Sequence, residues 1–494
     1  MIGSGGILRE LQIDLLPVAG AWHCRLKRRA ESDALWSGFL EFPEVQAEAP
    51  LLAAVEIPVG SSLSPSYLPQ RIRSTYSLRL LSRPPSTPDP VDTPGPAGTP
   101  GPAGTPDPAG TPDPAGTPDP TGTPDLEWAD PRELLRLWSE SRVRLCPPTR
   151  RALIEIAAFA GTAPPPATKS SRPAQVPGPR LTGLPQLAQG LQGALDGRDP
   201  DHGLPEEVMP GVRVIPVRSP TLLPATHTNC VVFGTAHLAV VDPAAVDPEE
   251  IARLIAALET LAEQGAEPRE VLLTHHHPDH VGSAAAVAQH FAIPISAHPW
   301  TAHFLRGSMT VGRTLNDGDR VQLDSGRWLD THFTPGHAPG HLIYRDSLTG
   351  ATMVGDLVAA VGTILIDPDE GHMGRYLDSL EYVRRLAPSL LIPSHGCEIG
   401  GIDTKLDQYR NHRLMREMKV WQALTAAGEP ATPSQLVAVA YDDTPSFLHG
   451  LAERSLLAHL IKLAEDGRAQ RIGDRFESVD NPPAPEAQAR GITH

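Results

Sequence analysis

Residues 271–284 read VLLTHHHPDHVGSA: an apolar, strand-like run that breaks into three consecutive histidines, a proline, an aspartate and a fourth histidine. Side chains alternate along an extended chain, so His275 and His277 project to one side while His276 points to the other. Pro278 turns the chain, Asp279 and His280 come next, and VGSAAAVAQH beyond them should be a helix. The loop between strand and helix therefore offers three imidazoles and one carboxylate within six residues. Neutral imidazole and carboxylate oxygen are the donors that Zn²⁺ takes in sites left open to water. An isolated histidine pair would be a surface accident, but H-x-H-x-D-H after an apolar strand is a metal signal.

Further donors stand at the ends of later strand-like runs. LDTHFTPGHAPGHLIY supplies His337 after a Pro-Gly turn, GATMVGDLV supplies Asp356, and LLIPSHGCEIG supplies His395. This order of donors resembles the metallo-β-lactamase superfamily over roughly residues 205–405, with seven ligand positions of its two-metal form filled. The resemblance implies an α/β fold, an αββα sandwich of two mixed β-sheets flanked by helices. It implies that His275, His277 and His337 hold one metal, that Asp279, His280 and His395 hold a second, and that Asp356 bridges the two. True β-lactamases commonly carry cysteine where this chain has Asp356; the aspartate matches the glyoxalase II, lactonase and ribonuclease branches. The implied cofactor is two Zn²⁺ ions per chain, with Fe or Mn as the alternatives for an all-nitrogen-and-oxygen site.

Two such metals would bring a bridging water toward neutral pKa as hydroxide and polarise the scissile carbonyl or phosphoryl oxygen. Asp279 is the catalytic candidate, orienting that hydroxide and shuttling its proton in addition to ligating. His341, four residues past His337, could support a ligand by a hydrogen bond or touch substrate, and Thr334 is a weaker candidate for the supporting role. His290, His298, His303 and His372 read as surface or packing residues, and His276 as a passenger between two ligands.

Beyond His395, DQYRNHRLMREMKVWQALTAAG (407–428) is helical, TPSQLVAVAY (432–441) follows a Thr-Pro cap, and a longer helix then leads into a strand pair. Three helices and a two-stranded wing make a winged helix. Together with YRNHR (409–413) this tail resembles the lactamase-beta-2-like branch of the superfamily, whose members include an endoribonuclease acting on single-stranded RNA. The tail's cations (Arg454, Lys462, Arg468, Arg471, Arg475) are balanced by Glu453, Glu465, Asp466, Asp474 and Glu477, whereas a DNA-binding wing is more one-sided. Packing against the catalytic domain, or walling its cleft, is the expected role.

Upstream, Asp130 can cap a helix with Pro131 in its first turn, and Leu134, Leu135, Leu137 and Trp138 give it an apolar stripe; a second helix follows Pro147-Pro148. A Trp-containing strand, a short helix and a PPT helix resemble the tail of Nudix hydrolases, with WSGFLEFP (36–43) as the strand entering the family's box. The box itself is missing: Glu56 stands alone, with no clustered carboxylates to hold a hard cation against a diphosphate. An α+β Nudix-like domain without catalysis is the expectation. Within it, residues 93–125 repeat a six-residue Thr-Pro-(Gly/Asp)-Pro-(Ala/Thr)-Gly unit that has nothing apolar to bury and lacks collagen's every-third glycine.

The chain is thus read as 1–160 Nudix-like with a disordered insert at 93–125, 161–200 linker, 201–405 catalytic, 406–478 winged helix and 479–494 disordered tail. Its 494 residues suit several domains, and a net charge of −16 argues against a broad face for nucleic acid or anionic membrane. Four scattered cysteines and an N-terminus without a basic, then apolar, leader point to a cytoplasmic protein with no membrane span, and a homo-oligomer is compatible. The leading functional expectation is a two-zinc hydrolase of single-stranded RNA, a thioester or a lactone. The alternatives are a one-iron persulfide dioxygenase of the same superfamily and a binding protein with an idle site.

Overall fold

A computed structural model describes residues 7–18, 21–25, 27–28, 40–41, 51–57, 72–81, 128–145, 147–159, 205–360 and 362–479. The hexapeptide repeat at 93–125, the linker within 161–200 and the tail from residue 480 lie outside the described residues, as does all of the expected strand 36–43 except Leu40–Glu41.

The N-terminal strands are β1 (Ile7–Val18), β2 (Ala21–Arg25), β3 (Lys27–Arg28), β4 (Leu40–Glu41), β5 (Leu51–Ile57), β6 (Ile72–Leu81) and β7 (Trp128–Ala129). Five of them form a mixed sheet in the order β5-β6-β1-β2-β7, with β1 parallel to β6 and antiparallel to β2. Helix α1 (Pro131–Ser139) starts where expected, because the Asp130 side chain accepts from the Arg132 N–H at 2.9 Å. Its Leu134, Leu137 and Trp138 are buried beside α2 (Pro147–Phe159). Ion pairs Arg150–Glu207 (2.8 Å) and Arg151–Glu206 (2.5 Å) fasten α2 to the first strand of the next layer.

That layer is a seven-stranded sheet ordered β14-β13-β12-β11-β10-β9-β8. Its strands are β8 (Glu206–Met209), β9 (Val212–Arg218), β10 (His227–Phe233), β11 (His237–Val241), β12 (Glu267–Leu272), β13 (Ile295–Ala297) and β14 (Arg313–Thr314). Strands β11 to β14 run parallel, which needs crossovers, and helices lie in all three of them. Helix α3 (Pro248–Glu263) is capped by Asp247, which accepts from Glu249 and Glu250, and buries Leu254, Leu258 and Leu261. After β12 come α4 (Pro278–Val281) and α5 (Ala284–Phe291), then α6 (Pro299–Phe304) after β13.

A second, five-stranded sheet is ordered β15 (Arg320–Gln322), β16 (Trp328–Phe333), β17 (Leu342–Asp346), β18 (Ala351–Gly355) and β19 (Leu390–Pro393), with α7 (Met373–Arg385) between β18 and β19. The two sheets meet face to face: Val231, Phe233 and Leu272 of the first share one core with Leu342, Tyr344 and Met353 of the second. Helices cover the outer faces, α3 and α5 through Leu258 and Val287 on one, α7 through Tyr376 and Leu380 on the other. The result is a four-layer α/β/β/α sandwich of mixed sheets.

Helix α8 (Ile402–Ala427) runs unbroken through the boundary expected at 405/406, its first turns packing Leu406 and Tyr409 onto the sandwich and its last burying Val420 and Leu424 in a separate core. That core is completed by α9 (Pro433–Ala440), α10 (His449–Glu465) and the hairpin β20 (Ala469–Ile472)–β21 (Arg475–Ser478). Thr432 and Gln435 form a capping box at the start of α9. This is a winged helix, sharing one long helix with the sandwich.

Candidate metal centre

The expected donors arrive at one rim of the sandwich from five separate places. His275 and His277 leave the end of β12, Asp279 and His280 lie on α4, His337 follows β16, Asp356 follows β18 and His395 follows β19. Ligands at the C-terminal ends of parallel strands are what such sheets favour.

Hydrogen bonds fix which ring nitrogen of each histidine is bare. His337 Nδ1 donates to the Leu365 carbonyl (2.8 Å) and His395 Nδ1 to the His227 carbonyl (3.0 Å). His280 Nδ1 donates to Asp242 Oδ2 at 2.8 Å. Thr274 gives its hydroxyl proton to Asp242 Oδ2 (2.6 Å), so its oxygen accepts from His275 Nδ1 (3.0 Å). His277 Nε2 faces Glu370 Oε2 at 3.3 Å. The remaining nitrogen of each ring is then the one available to ligate once its proton is displaced.

Those nitrogens converge. His277 Nδ1 lies 2.9 Å from His275 Nε2 and 3.0 Å from His337 Nε2. His280 Nε2 and His395 Nε2 stand 3.5 and 3.4 Å from Asp356 Oδ1, while Asp356 Oδ2 is 3.6 Å from His337 Nε2. Asp279 closes the second group, 3.9 Å from His280 Nε2 and 3.6 Å from His395 Nε2. Asp356 thus spans a three-histidine group and an Asp-His-His group. His280 Nε2 and Asp356 Oδ1 are buried without a hydrogen-bond partner. Bare lone pairs aimed at one another repel unless a cation sits among them, and ligands about 2.0–2.1 Å from a tetrahedral zinc lie roughly 3.3 Å apart. The donor set fits divalent metal.

The electrostatics agree. Burial drives His275 well below its ordinary value and His337 down to about 4, keeping both rings neutral and ready to ligate. Burial also opposes charge on His280 and Asp356. Even so, Asp356, Asp279 and Asp242 hold His280 well above its ordinary value, and His395 and His280 hold Asp356 well below its own. The pocket attracts positive charge.

His341 is fully buried with both nitrogens engaged: Nε2 accepts from the Asp356 N–H at 3.1 Å and Nδ1 donates to Thr334 Oγ1 at 2.9 Å. It therefore supports the backbone of Asp356 and does not face substrate. Gly355 makes this contact feasible: its φ is +54°, and a Cβ there would lie 2.5 Å from His341 Nε2. His276 turns away from the cluster, stacks on Phe304 (4.3 Å, 12°) and donates to Glu370 Oε2 at 2.9 Å. Of the other histidines, His290 pairs with Glu259, His298 stacks on Phe333 and caps α6, and His372 caps α7.

Sequence reading missed Asp242, Thr274, Glu370 and the Leu365 carbonyl. Asp242 ends β11 in a left-handed conformation (φ +48°) and its fully buried carboxylate braces Thr274 and His280. The only trace in sequence is an aspartate-proline step after an apolar run.

A four-layer sandwich with histidines and aspartates converging at one sheet end defines a metal-binding protein of hydrolase architecture. Residues 223–395 match the metallo-beta-lactamase superfamily and residues 432–477 the beta-lactamase associated winged helix domain. The hydroxyacylglutathione hydrolase of Rhodospirillum rubrum is 32% identical over 207 residues, 41% of this chain and 75% of that protein. The lactamase-like protein nscB of Aspergillus fumigatus is 27% identical over 42% of this chain, and the match spans 58% of the relative's length. A metallo-beta-lactamase family protein from Thermus thermophilus, of known crystal structure, is 21% identical with a TM-score of 0.47, covering 55% of this chain and 100% of its own. The chain belongs to the metallo-beta-lactamase superfamily. Among the described residues no helix is long and apolar enough to cross a membrane.

Proposed function

We propose that this chain is a binuclear zinc hydrolase acting on a thioester. The observation that carries the reading is the convergence of five imidazole nitrogens in two groups that Asp356 joins, its Oδ1 facing His280 and His395 and its Oδ2 facing His337. His275, His277 and His337 would hold one ion, Asp279, His280 and His395 the other, and Asp356 both. Ions held there supply an acidified water and an electrophilic contact for the substrate's carbonyl oxygen. Asp279 orients the attacking water, takes its proton and returns it to the leaving thiolate; its side chain retains 17% exposure against 0% for His280.

Thioester is preferred over lactone and single-stranded RNA for two reasons. Relatives named hydroxyacylglutathione hydrolase match over three quarters or more of their length. In the winged helix, meanwhile, Lys462 pairs with Glu417 and Asp466, Arg468 with Glu417, and Arg454 with Asp367 and Asp369, so these cations are not free for phosphates. A cytoplasmic location is the reading that goes with the widely scattered cysteines of the chain. The N-terminal sheet is read as a Nudix-like unit without catalysis.

The test is metal content and turnover of the full chain. Purified without added metal, it should carry close to two zinc ions and cleave S-lactoylglutathione or a simpler thioester. Asp279→Ala and His280→Ala should abolish turnover with the fold retained. One iron per chain with persulfide oxidation, or activity that survives either substitution, would defeat the assignment.

A further inference from the structure

The loop 362–372 lies between the donor cluster and the C-terminal helices, and it is held from both sides. On the inner side the Leu365 carbonyl accepts from His337 Nδ1, Glu370 faces His277 Nε2, and the His372 N–H donates to the Gly336 carbonyl at 2.8 Å. On the outer side α10 grips the same loop. Arg454 Nε donates to Asp367 Oδ2 at 2.9 Å and its Nη2 reaches Asp367 Oδ1 at 2.5 Å and also Asp369; one helix end further, Glu465 meets His372 Nε2 at 3.2 Å. From α8, Arg413 donates to the Ile364 carbonyl and Tyr409 Oη to that of Gly362 at 3.2 Å.

We propose that the winged-helix domain positions the ligands of one metal: Arg454, by fixing Asp367 and Asp369, sets the loop whose Leu365 carbonyl and Glu370 carboxylate aim His337 and His277. The inference rests on the two-ion reading above. Arg454 is a positioning residue and touches neither ion nor substrate. Its side chain and that of Asp367 are each 37% exposed, and ion pairs so open to water add little to global stability. What the pair supplies is geometry, since a planar guanidinium bonding one carboxylate through two nitrogens while reaching a second tolerates little displacement. Outer partners that orient a ligand typically change metal affinity by about 10–100-fold when removed. The Asp279-His280-His395 group owes nothing to this chain of contacts, because its braces are Asp242 and the His227 carbonyl.

The experiment is a zinc titration of the metal-stripped full chain against a chromophoric chelator. Wild type should show two sites, and His395→Ala, which removes a ligand of the core-held group alone, should identify that site by weakening it. Arg454→Ala should weaken the other site about tenfold, leave the core-held site and the unfolding midpoint of the metal-free protein near wild type, and be partly rescued by Arg454→Lys. Arg454→Ala added to Glu370→Ala should cost more than Glu370→Ala alone but less than the sum of the two single losses, because Glu370 is one of the two contacts through which the same loop acts. Two unchanged zinc constants, an equal loss at both sites, or additive losses in the double variant would overturn the proposal. A wild-type protein that takes up fewer than two zinc ions would instead remove the two-ion reading beneath it.

Discussion

The two halves of the donor cluster are anchored to different parts of the molecule. His280 and His395 are aimed by Asp242 at the end of β11 and by the His227 carbonyl of β10, both rooted in the seven-stranded sheet. His277 and His337 are aimed by Glu370 and the Leu365 carbonyl, on a loop fastened to the winged helix through Arg454. His275 sides with the sheet through Thr274, although its bare nitrogen joins the loop-held group. One half is thus part of the folding core, and the other becomes complete only when a second domain is in place. Asp356, held by His341 and Thr334, belongs to both.

Removing the anchor of the core-held half is the severest way to test the contrast. Asp242 accepts from the Thr274 N–H and hydroxyl and from His280 Nδ1, all buried. Asp242→Ala leaves these donors unpaired, at about 1–3 kcal/mol for each. The expected outcome is a loss of several kcal/mol in denaturant unfolding together with a zinc affinity about 100-fold weaker at the site of His280, and a smaller loss at the other site through Thr274 and His275. Equal weakening of both sites would erase the distinction between the halves.

A pH profile tests whether the core-held half shares its electrostatics with the fold. Glu398, three residues past His395, is buried; that burial, with a smaller push from Glu206, raises its carboxyl to about 7. The folded protein therefore keeps a proton that the unfolded chain releases near 4.5. Between those limits the unfolded state binds fewer protons, so stability is highest below the window and falls as pH rises to its upper end. The slope is at most about 1.4 kcal/mol per pH unit, or on the order of 3 kcal/mol in total. Glu398→Gln should flatten that slope in denaturant midpoints measured from pH 5 to 8, and parallel profiles for variant and wild type would reject the role.

The two halves also differ in how far they could be read from the chain. The seven expected donors stand out because four crowd into six residues, Asp356 and His395 follow apolar runs and His337 follows a Pro-Gly turn. The winged helix follows from helical periodicity and the Thr432 cap, whereas the αββα order is implied only by the family resemblance that the donors carry. The supports are much less visible. Asp242 acts through a left-handed backbone turn that its sequence neighbours do not announce. Leu365 contributes a carbonyl, which every residue has, and Glu370 gains its role from a loop whose path is set by contacts with α8 and α10. Helix α8 is itself legible as 407–428, and the expected boundary at 405/406 falls within its first turns because one stripe of the helix serves two cores, Leu406 and Tyr409 on the sandwich and Val420 and Leu424 in the winged helix.

The smallest expected effect lies at the residue shared by both halves. Thr334 Oγ1 accepts from His341 Nδ1, and His341 Nε2 in turn accepts from the Asp356 N–H. Thr334→Val keeps the shape but leaves a buried imidazole N–H without an acceptor, which should cost about 1.5 kcal/mol. Burial holds His341 down at about 3, so the ring stays neutral and keeps its grip on the Asp356 backbone through Nε2. Zinc affinity should therefore change less than about threefold, well short of the loss expected when an outer partner aims a ligand directly. Thr334→Ser, which retains the acceptor, should recover most of the stability in the same unfolding assay. If Thr334→Val instead released both zinc ions, Asp356 would be held mainly by this short relay, and the contrast between the halves would matter less than the bridge that joins them.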